Sequence, residues 1–129
     1  MDQLTPKQRA LFGPPNLAYL ATVMPDGSPH LSPLWADFRD GMILLNTADG
    51  RVKVENIRRD PRVAVSIHDR NDPWPPLAVL GTVVEITSEG ADEHMDALSR
   101  RYTGEGWTPA QEQTRILLVI RPDRVLGWT

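Results

Sequence analysis

Leu17-Ala18-Tyr19-Leu20-Ala21-Thr22-Val23-Met24, Pro25-Asp26-Gly27 and His30-Leu31-Ser32-Pro33-Leu34-Trp35-Ala36-Asp37-Phe38 follow one another with almost no gap. Two runs of strand-forming residues enclose a Pro-Asp-Gly turn, so the stretch reads as an antiparallel hairpin. Pro33 cannot donate to a sheet ladder, so a bulge or an edge is expected there, with backbone groups left free to meet a ligand.

Outward from that hairpin the β reading continues. Asp40-Gly41 is a two-residue hairpin signal leading into a strand over 42–47. Residues 50–59 read as a short helix ended by Asp60-Pro61, and 62–68 alternate as a strand. A proline-rich loop, Asp72-Pro73-Trp74-Pro75-Pro76, precedes a long strand over 77–87. Ser88 is the expected cap of a helix in which Ala91, Met95, Leu98 and Tyr102 recur at helical spacing. Two strands, 115–121 and 124–128, are expected around Pro122-Asp123. Upstream, Thr5-Pro6-Lys7-Gln8 has the pattern of a capping box with proline at the first helical position. The sum is a mainly β chain of about six strands and a few helices. It is expected to close as an antiparallel barrel and to fill residues 1–129 as a single domain.

Composition narrows the function. The 129 residues carry 14 Lys+Arg against 17 Asp+Glu, a net charge of -3, which disfavours a nucleic-acid coat. With no cysteine there is no disulfide, thiol nucleophile or Cys-based zinc site. The start Met1-Asp2-Gln3-Leu4-Thr5-Pro6 lacks the basic and apolar blocks of a signal peptide, and no apolar run is long enough for a membrane span. Cytoplasm is the expected location, without membrane or nucleic-acid partners.

The chemistry concentrates in Leu45-Asn46-Thr47-Ala48-Asp49-Gly50-Arg51-Val52-Lys53-Val54-Glu55-Asn56, where a strand ends in small polar residues and a helix begins. Cations in the first turn of a helix oppose its dipole, so Arg51 and Lys53 make sense there if an anion sits between them and the free N–H groups. Arg offers a planar fork and Lys a mobile point charge, a common pairing for phosphate. Asn56 lies three residues on, along the same helical face. Residues 51–62 carry a net +3, against -6 for the rest of the chain, which fits one anionic ligand better than a long polyanion. The alternative is a solvated helix whose Arg and Lys pair with Asp49, Glu55 and Asp60.

Four of the eight aromatic residues are Trp. Trp35 beside Pro33, Trp74 in the proline-rich loop and Trp107 after Gly104-Glu105-Gly106 can each stack on a flat ring or pack at a subunit interface. His30, His68 and His94 lie on separate elements without ligand spacing, so no metal site is expected. His68 ends a strand where it can face a pocket, and Glu93-His94 reads as a solvated helix face. Ser28, Ser32 and Ser66 lack the glycines of a nucleophile elbow. No side chain stands out as catalytic, and GxGxxG and P-loop patterns are absent. Chemistry that needs so few side chains points to a redox cofactor carrying its own reactive atom.

Those residues also resemble a known family, the pyridoxamine 5'-phosphate oxidase-like split β-barrel proteins. The resemblance runs through Leu20-Ala21-Thr22, Pro25 to His30, Ser32-Pro33-Leu34-Trp35, Asn46-Thr47, Arg51-Val52-Lys53, Asn56 to Val63, Gly81-Thr82-Val83 and Arg124 to Trp128. Within the family the sequence looks most like the flavin/deazaflavin oxidoreductases that use coenzyme F420. The resemblance implies a six-stranded antiparallel split β-barrel, similar to FMN-binding proteins, that pairs as a homodimer with cofactor sites at the subunit interface. It implies a cofactor phosphate held by Arg51 and Lys53 with Asn56 close by. The ring would rest against Ser32, Pro33, Leu34 and Trp35 and against Leu45, Asn46, Thr47 and Ala48. Trp74 and His68 would close the site from the second subunit. The implied reaction is hydride transfer from reduced deazaflavin to a small conjugated acceptor, quinone-like or a tetrapyrrole such as biliverdin. Arg58, Arg59 and Arg62 are the cations available for a polyglutamate tail. FMN-binding members present similar cations, so an FMN-dependent oxidase or reductase of the pyridoxamine phosphate oxidase type stays open, as does a non-catalytic carrier of either cofactor.

Overall fold

The structure is a computed structural model that describes residues 3–110 and 112–127. Six strands, β1 (Leu17–Val23), β2 (Pro29–Arg39), β3 (Met42–Ala48), β4 (Arg62–Ile67), β5 (Leu77–Thr87) and β6 (Arg115–Val125), close a barrel in the order β1-β2-β3-β6-β5-β4. Every pairing is antiparallel. Three short helices complete it: α1 (Pro6–Arg9), α2 (Val52–Arg59) and α3 (Ala91–Thr103), with a 3-10 turn at Ala10–Phe12 after α1.

Strand alternation decides which side chains fill the barrel. In β1 the even positions Ala18, Leu20 and Thr22 are buried, and across the barrel Ile43, Leu45, Ile67, Val79, Leu118 and Ile120 meet them. Full burial of a Leu or Ile side chain stabilises by about 1.5–3 kcal/mol. The capping box at Thr5 forms as its sequence indicates, with Gln8 N–H donating to Thr5 Oγ1 and Thr5 N–H to Gln8 Oε1.

The barrel is split where the site lies. β2 pairs with β1 over residues 29–35, but with β3 only over 36–39. Beyond Leu45, β3 keeps β6 as its partner and leaves β2 behind. Half of β2 therefore has one free edge, and Pro33 lies in that half, where a residue without a backbone donor is tolerated. Helix α2 packs beside the opening: Asn56 Nδ2 donates to Thr22 Oγ1 at 3.0 Å and to Met24 Sδ at 3.3 Å.

Two local expectations change. The closing strand is continuous through Pro122 rather than two pieces. The register of β5 on β6 shifts between Leu80 and Gly81, and Pro122 pairs with Gly81, so the missing donor falls at an irregularity. The strands approach so closely there that a Cβ on Gly81 would lie 2.7 Å from Ile120 Cγ2 and 2.8 Å from Arg121 O. Trp128, expected in that strand, lies outside the described residues. Helix α3 starts later than a Ser88 cap requires: Gly90, at φ 74°, is its N-cap, and Ser88 contributes its carbonyl to the Ala91 N–H.

Candidate cofactor site

At the open end of the split, Arg51 stands as the extended N-cap residue of α2 without side-chain capping, and Lys53 follows in the first turn. Lys53 is only 9% exposed. A third cation joins them that the sequence reading missed: Arg115, the first residue of β6, placed beside the end of β3 by its register with Ala48. Burial pulls the Lys53 amine below the usual lysine range, and the charges of Arg51 and Arg115 pull it further. Burial and Arg51 likewise lower Arg115, against the pull of Asp92. Among the described residues none of these three cations has a carboxylate partner.

The other cations of this segment are matched. Arg58 reaches Asp49 at 2.7 Å and Glu55 at 3.2 Å, Arg62 reaches Asp60 at 2.8 Å, and Arg59 donates to the Val23 carbonyl. The solvated-helix reading thus holds for Arg58 and Arg62 and fails for Arg51 and Lys53. Asp49 accepts from the Gly50 N–H and from Arg58, so it does not neutralise the helix start.

Beside the cations, a pocket of about 280 Å³ opens between the separated strands and α3, lined by Leu17, Pro33, Leu34, Trp35, Met95 and Leu98, with Asn46 and Arg115 at its polar side. Trp35 stacks on Tyr102 at 5.2 Å and 16° between planes, and Tyr102 Oη donates to the Asn16 carbonyl at 2.5 Å. The aromatic wall is therefore held from behind. On the split half of β2, His30 Nδ1 and Ser32 Oγ are buried without a hydrogen-bond partner. An unsatisfied buried polar atom costs about 1–3 kcal/mol, which a ligand or water would relieve.

A larger groove, about 790 Å³, runs over β1, β4 and β5 past Ala21, Ala64, Leu80 and Gly81. Of its charges, Arg62 is held by Asp60 and Asp123 by Thr82 and Arg121, while Arg124 lines it singly. It lacks the cluster of mutually repelling, partly buried cations beside the smaller pocket, which we take as the ligand site.

The anticipated residues divide accordingly. Ser32, Pro33, Leu34, Trp35, Asn46, Arg51 and Lys53 lie around the split or its cations. Thr47 and Ala48 are buried along the departing part of β3, and Leu45 lies in the core at the last position still paired with β2. Asn56 is buried, and its amide serves Thr22 and Met24. His68, with Nδ1 3.0 Å from the Asp69 carbonyl, and Trp74, 67% exposed on the β4–β5 loop, do not line this pocket. Trp107 lies against the Arg115 guanidinium, 5.6 Å from ring centroid to Cζ. His94 overturns its solvated reading: it is 5% exposed and bonded to Asn46 and Asp37. Among the described residues no helix is long and apolar enough to cross a membrane.

A split closed barrel with a cluster of cations beside an aromatic-walled slot is the form in which a small barrel can hold a cofactor. The pyridoxamine 5'-phosphate oxidase family matches residues 4–129, and the chain belongs to that family. Among solved structures it is similar to an F420 reductase, with 29% identity, a TM-score of 0.84, and coverage of 95% of this chain and 98% of that one. A conserved hypothetical protein from Mycobacterium tuberculosis matches at 26% identity and TM-score 0.73, covering 97% of this chain and 88% of that one. A FAD-binding protein from Mesorhizobium loti shares the fold at 20% identity and TM-score 0.65, covering 95% and 92%.

Proposed function

We propose that the chain is a cytoplasmic F420H2-dependent reductase in which residues 1–129 act as one cofactor-binding domain. The observation that carries this reading is the trio Arg51, Lys53 and Arg115, without a carboxylate in ion-pair reach among the described residues and set beside the Trp35-walled slot. The trio binds the phosphate, with the Lys53 stem buried and its charge directed to the ligand. Pro33, Leu34 and Trp35 orient the ring and exclude water from one of its faces, Ser32 offers its unpaired hydroxyl, and Leu45 to Ala48 form the opposite edge. Asn56 acts one step back by fixing α2 to β1. When bound, the reduced deazaflavin supplies a hydride for a small conjugated acceptor, quinone-like or a tetrapyrrole such as biliverdin. The similarity to the F420 reductase over almost the whole chain supports that choice.

A second copy of the chain closes the site in this reading, presenting His68 and the exposed Trp74. Light scattering is expected to give about twice 14.4 kDa; a monomer that still binds the cofactor would contradict the shared site.

The deciding experiment is a fluorescence titration with coenzyme F420 and with FMN at one salt concentration, followed by turnover of the reduced cofactor with an acceptor panel. Tighter F420 binding with turnover supports the reductase. Tighter FMN binding moves the protein to the second reading, an FMN-dependent oxidase or reductase of the pyridoxamine phosphate oxidase type. F420 binding without turnover makes it a carrier.

A further inference from the structure

Arg115 differs from the other two site cations in having a directional anchor. Its Nε donates to Asn46 Oδ1 at 3.0 Å, while its terminal nitrogens have only weak partners, Gln113 Oε1 at 3.5 Å and the thioether Sδ of Met95 at 3.3 Å. Asn46 Nδ2 donates to the Ala91 carbonyl at 2.8 Å and faces His94 Nδ1 at 3.2 Å. A carbonyl can only accept, so the amide nitrogen must face Ala91 and the amide oxygen must face Arg115. His94 Nδ1 is then the accepting ring nitrogen, and the proton sits on Nε2, 3.1 Å from Asp37 Oδ2. Asp37 is itself fixed by the Phe38 N–H at 2.9 Å and by both terminal nitrogens of Arg101 at 3.3 Å. Asn46 and His94 are each 5% exposed. One buried chain of hydrogen bonds therefore runs from β2 through α3 and β3 to β6.

We propose that His94 and Asn46 are positioning residues that hold Arg115 for an anionic ligand group while leaving its charge uncancelled. The proposal rests on the phosphate reading of the cation trio. A carboxylate in the place of Asn46 would anchor the guanidinium equally well but neutralise it, leaving less attraction for an incoming anion. The neutral amide and imidazole supply direction without charge. The carboxylate at the far end, Asp37, is matched by Arg101 and lies two neutral groups away from Arg115. Trp107 limits the guanidinium on another side.

Two near-isosteric variants separate positioning from general structure. His94→Asn keeps an acceptor near the place of Nδ1 and gives up the bond to Asp37. His94→Gln keeps a group near the place of Nε2 and gives up the acceptor for Asn46. The readout is the affinity ratio of each phosphorylated ligand over its phosphate-free chromophore: coenzyme F420 over the deazaflavin lacking its phosphate, and FMN over riboflavin. Thermal melts run alongside. His94→Gln is expected to lower the ratio about tenfold, the scale of a charged hydrogen bond lost, and His94→Asn to keep it within about threefold. If the glutamine variant does not fold, Asn46→Leu removes the anchor at similar volume and is expected to lower the ratio in the same way. A ratio unchanged in His94→Gln, or lowered equally in both His94 variants, would overturn the positioning role while leaving the phosphate site intact. A wild-type protein that does not prefer the phosphorylated ligands would instead remove the phosphate reading, and this inference with it.

Discussion

Two sets of cations sit side by side on this molecule and behave differently. Arg58 and Arg62 lie on α2 and just beyond it, each closed by a carboxylate within 3 Å. Arg51, Lys53 and Arg115 lie a turn or a strand away and have none. Counted along the sequence, all the cations of residues 51–62 look like one basic patch. Spatially Arg58 and Arg62 are met by carboxylates and Arg59 by the oxygens of Val23 and Asn56, whereas Lys53 holds its charge against burial and two like neighbours. A binding site for an anion is thus marked by the compensation that is absent, more than by the density of charge. It also means that Arg58 and Arg62, available on sequence grounds for a polyglutamate tail, already have their charge met within the chain.

Three measurements probe this contrast. The largest effect is expected at Lys53. Lys53→Met keeps most of the buried stem and removes the charge, and is expected to weaken coenzyme F420 binding by about 10- to 100-fold in fluorescence titration. The same substitution should raise the melting temperature of the ligand-free protein, because the folded state no longer holds a desolvated cation against Arg51 and Arg115. Unchanged affinity in a folded variant would erase the distinction between the two sets.

The second measurement concerns a matched charge in the interior. Burial pushes the Asp37 carboxyl up, but the hydrogen bonds from His94 and the Phe38 N–H and the charge of Arg101 outweigh it and bring it from 3.8 to about 2. Because the folded value lies below the unfolded one, the stabilisation is present above the unfolded value and lost as pH falls through the folded one. Ionised Asp37 is expected to contribute roughly 2 kcal/mol at neutral pH. The stability gap between wild type and Asp37→Asn, followed by denaturant titration, should shrink from about pH 5 to about pH 2. A gap that does not change with acid would mean that the carboxylate is not held by these charges.

The smallest effect is expected on the matched surface. Arg58→Gln should change F420 affinity by less than about twofold, since the exposed pair it breaks is screened by solvent. A loss comparable to that of Lys53→Met would extend the site along α2.

How far the sequence carried the site depends on how local each signal was. Arg51 and Lys53 stood out because cations oppose the dipole of the helix they begin, a conflict visible within a few residues. The barrel was legible from alternating strands and Gly/Pro turns, and the capping box at Thr5 from four consecutive residues. Arg115 was not legible, since only the pairing of β3 with β6 brings it beside Ala48. His94 read as solvated because its partners, Asn46 and Asp37, come from two different strands. Pro122 suggested a break because a sequence does not show the register shift that accommodates it.

Pro33 has a consequence beyond the ligand. Half a strand with one bare edge is a template on which a foreign strand can add, the first step of sheet-to-sheet aggregation. A proline in that stretch withholds one of the donors a continuous ladder needs, and the exposed backbone suits a small rigid molecule better than another polypeptide. Pro33 thereby helps guard the chain against polymerising through its open edge.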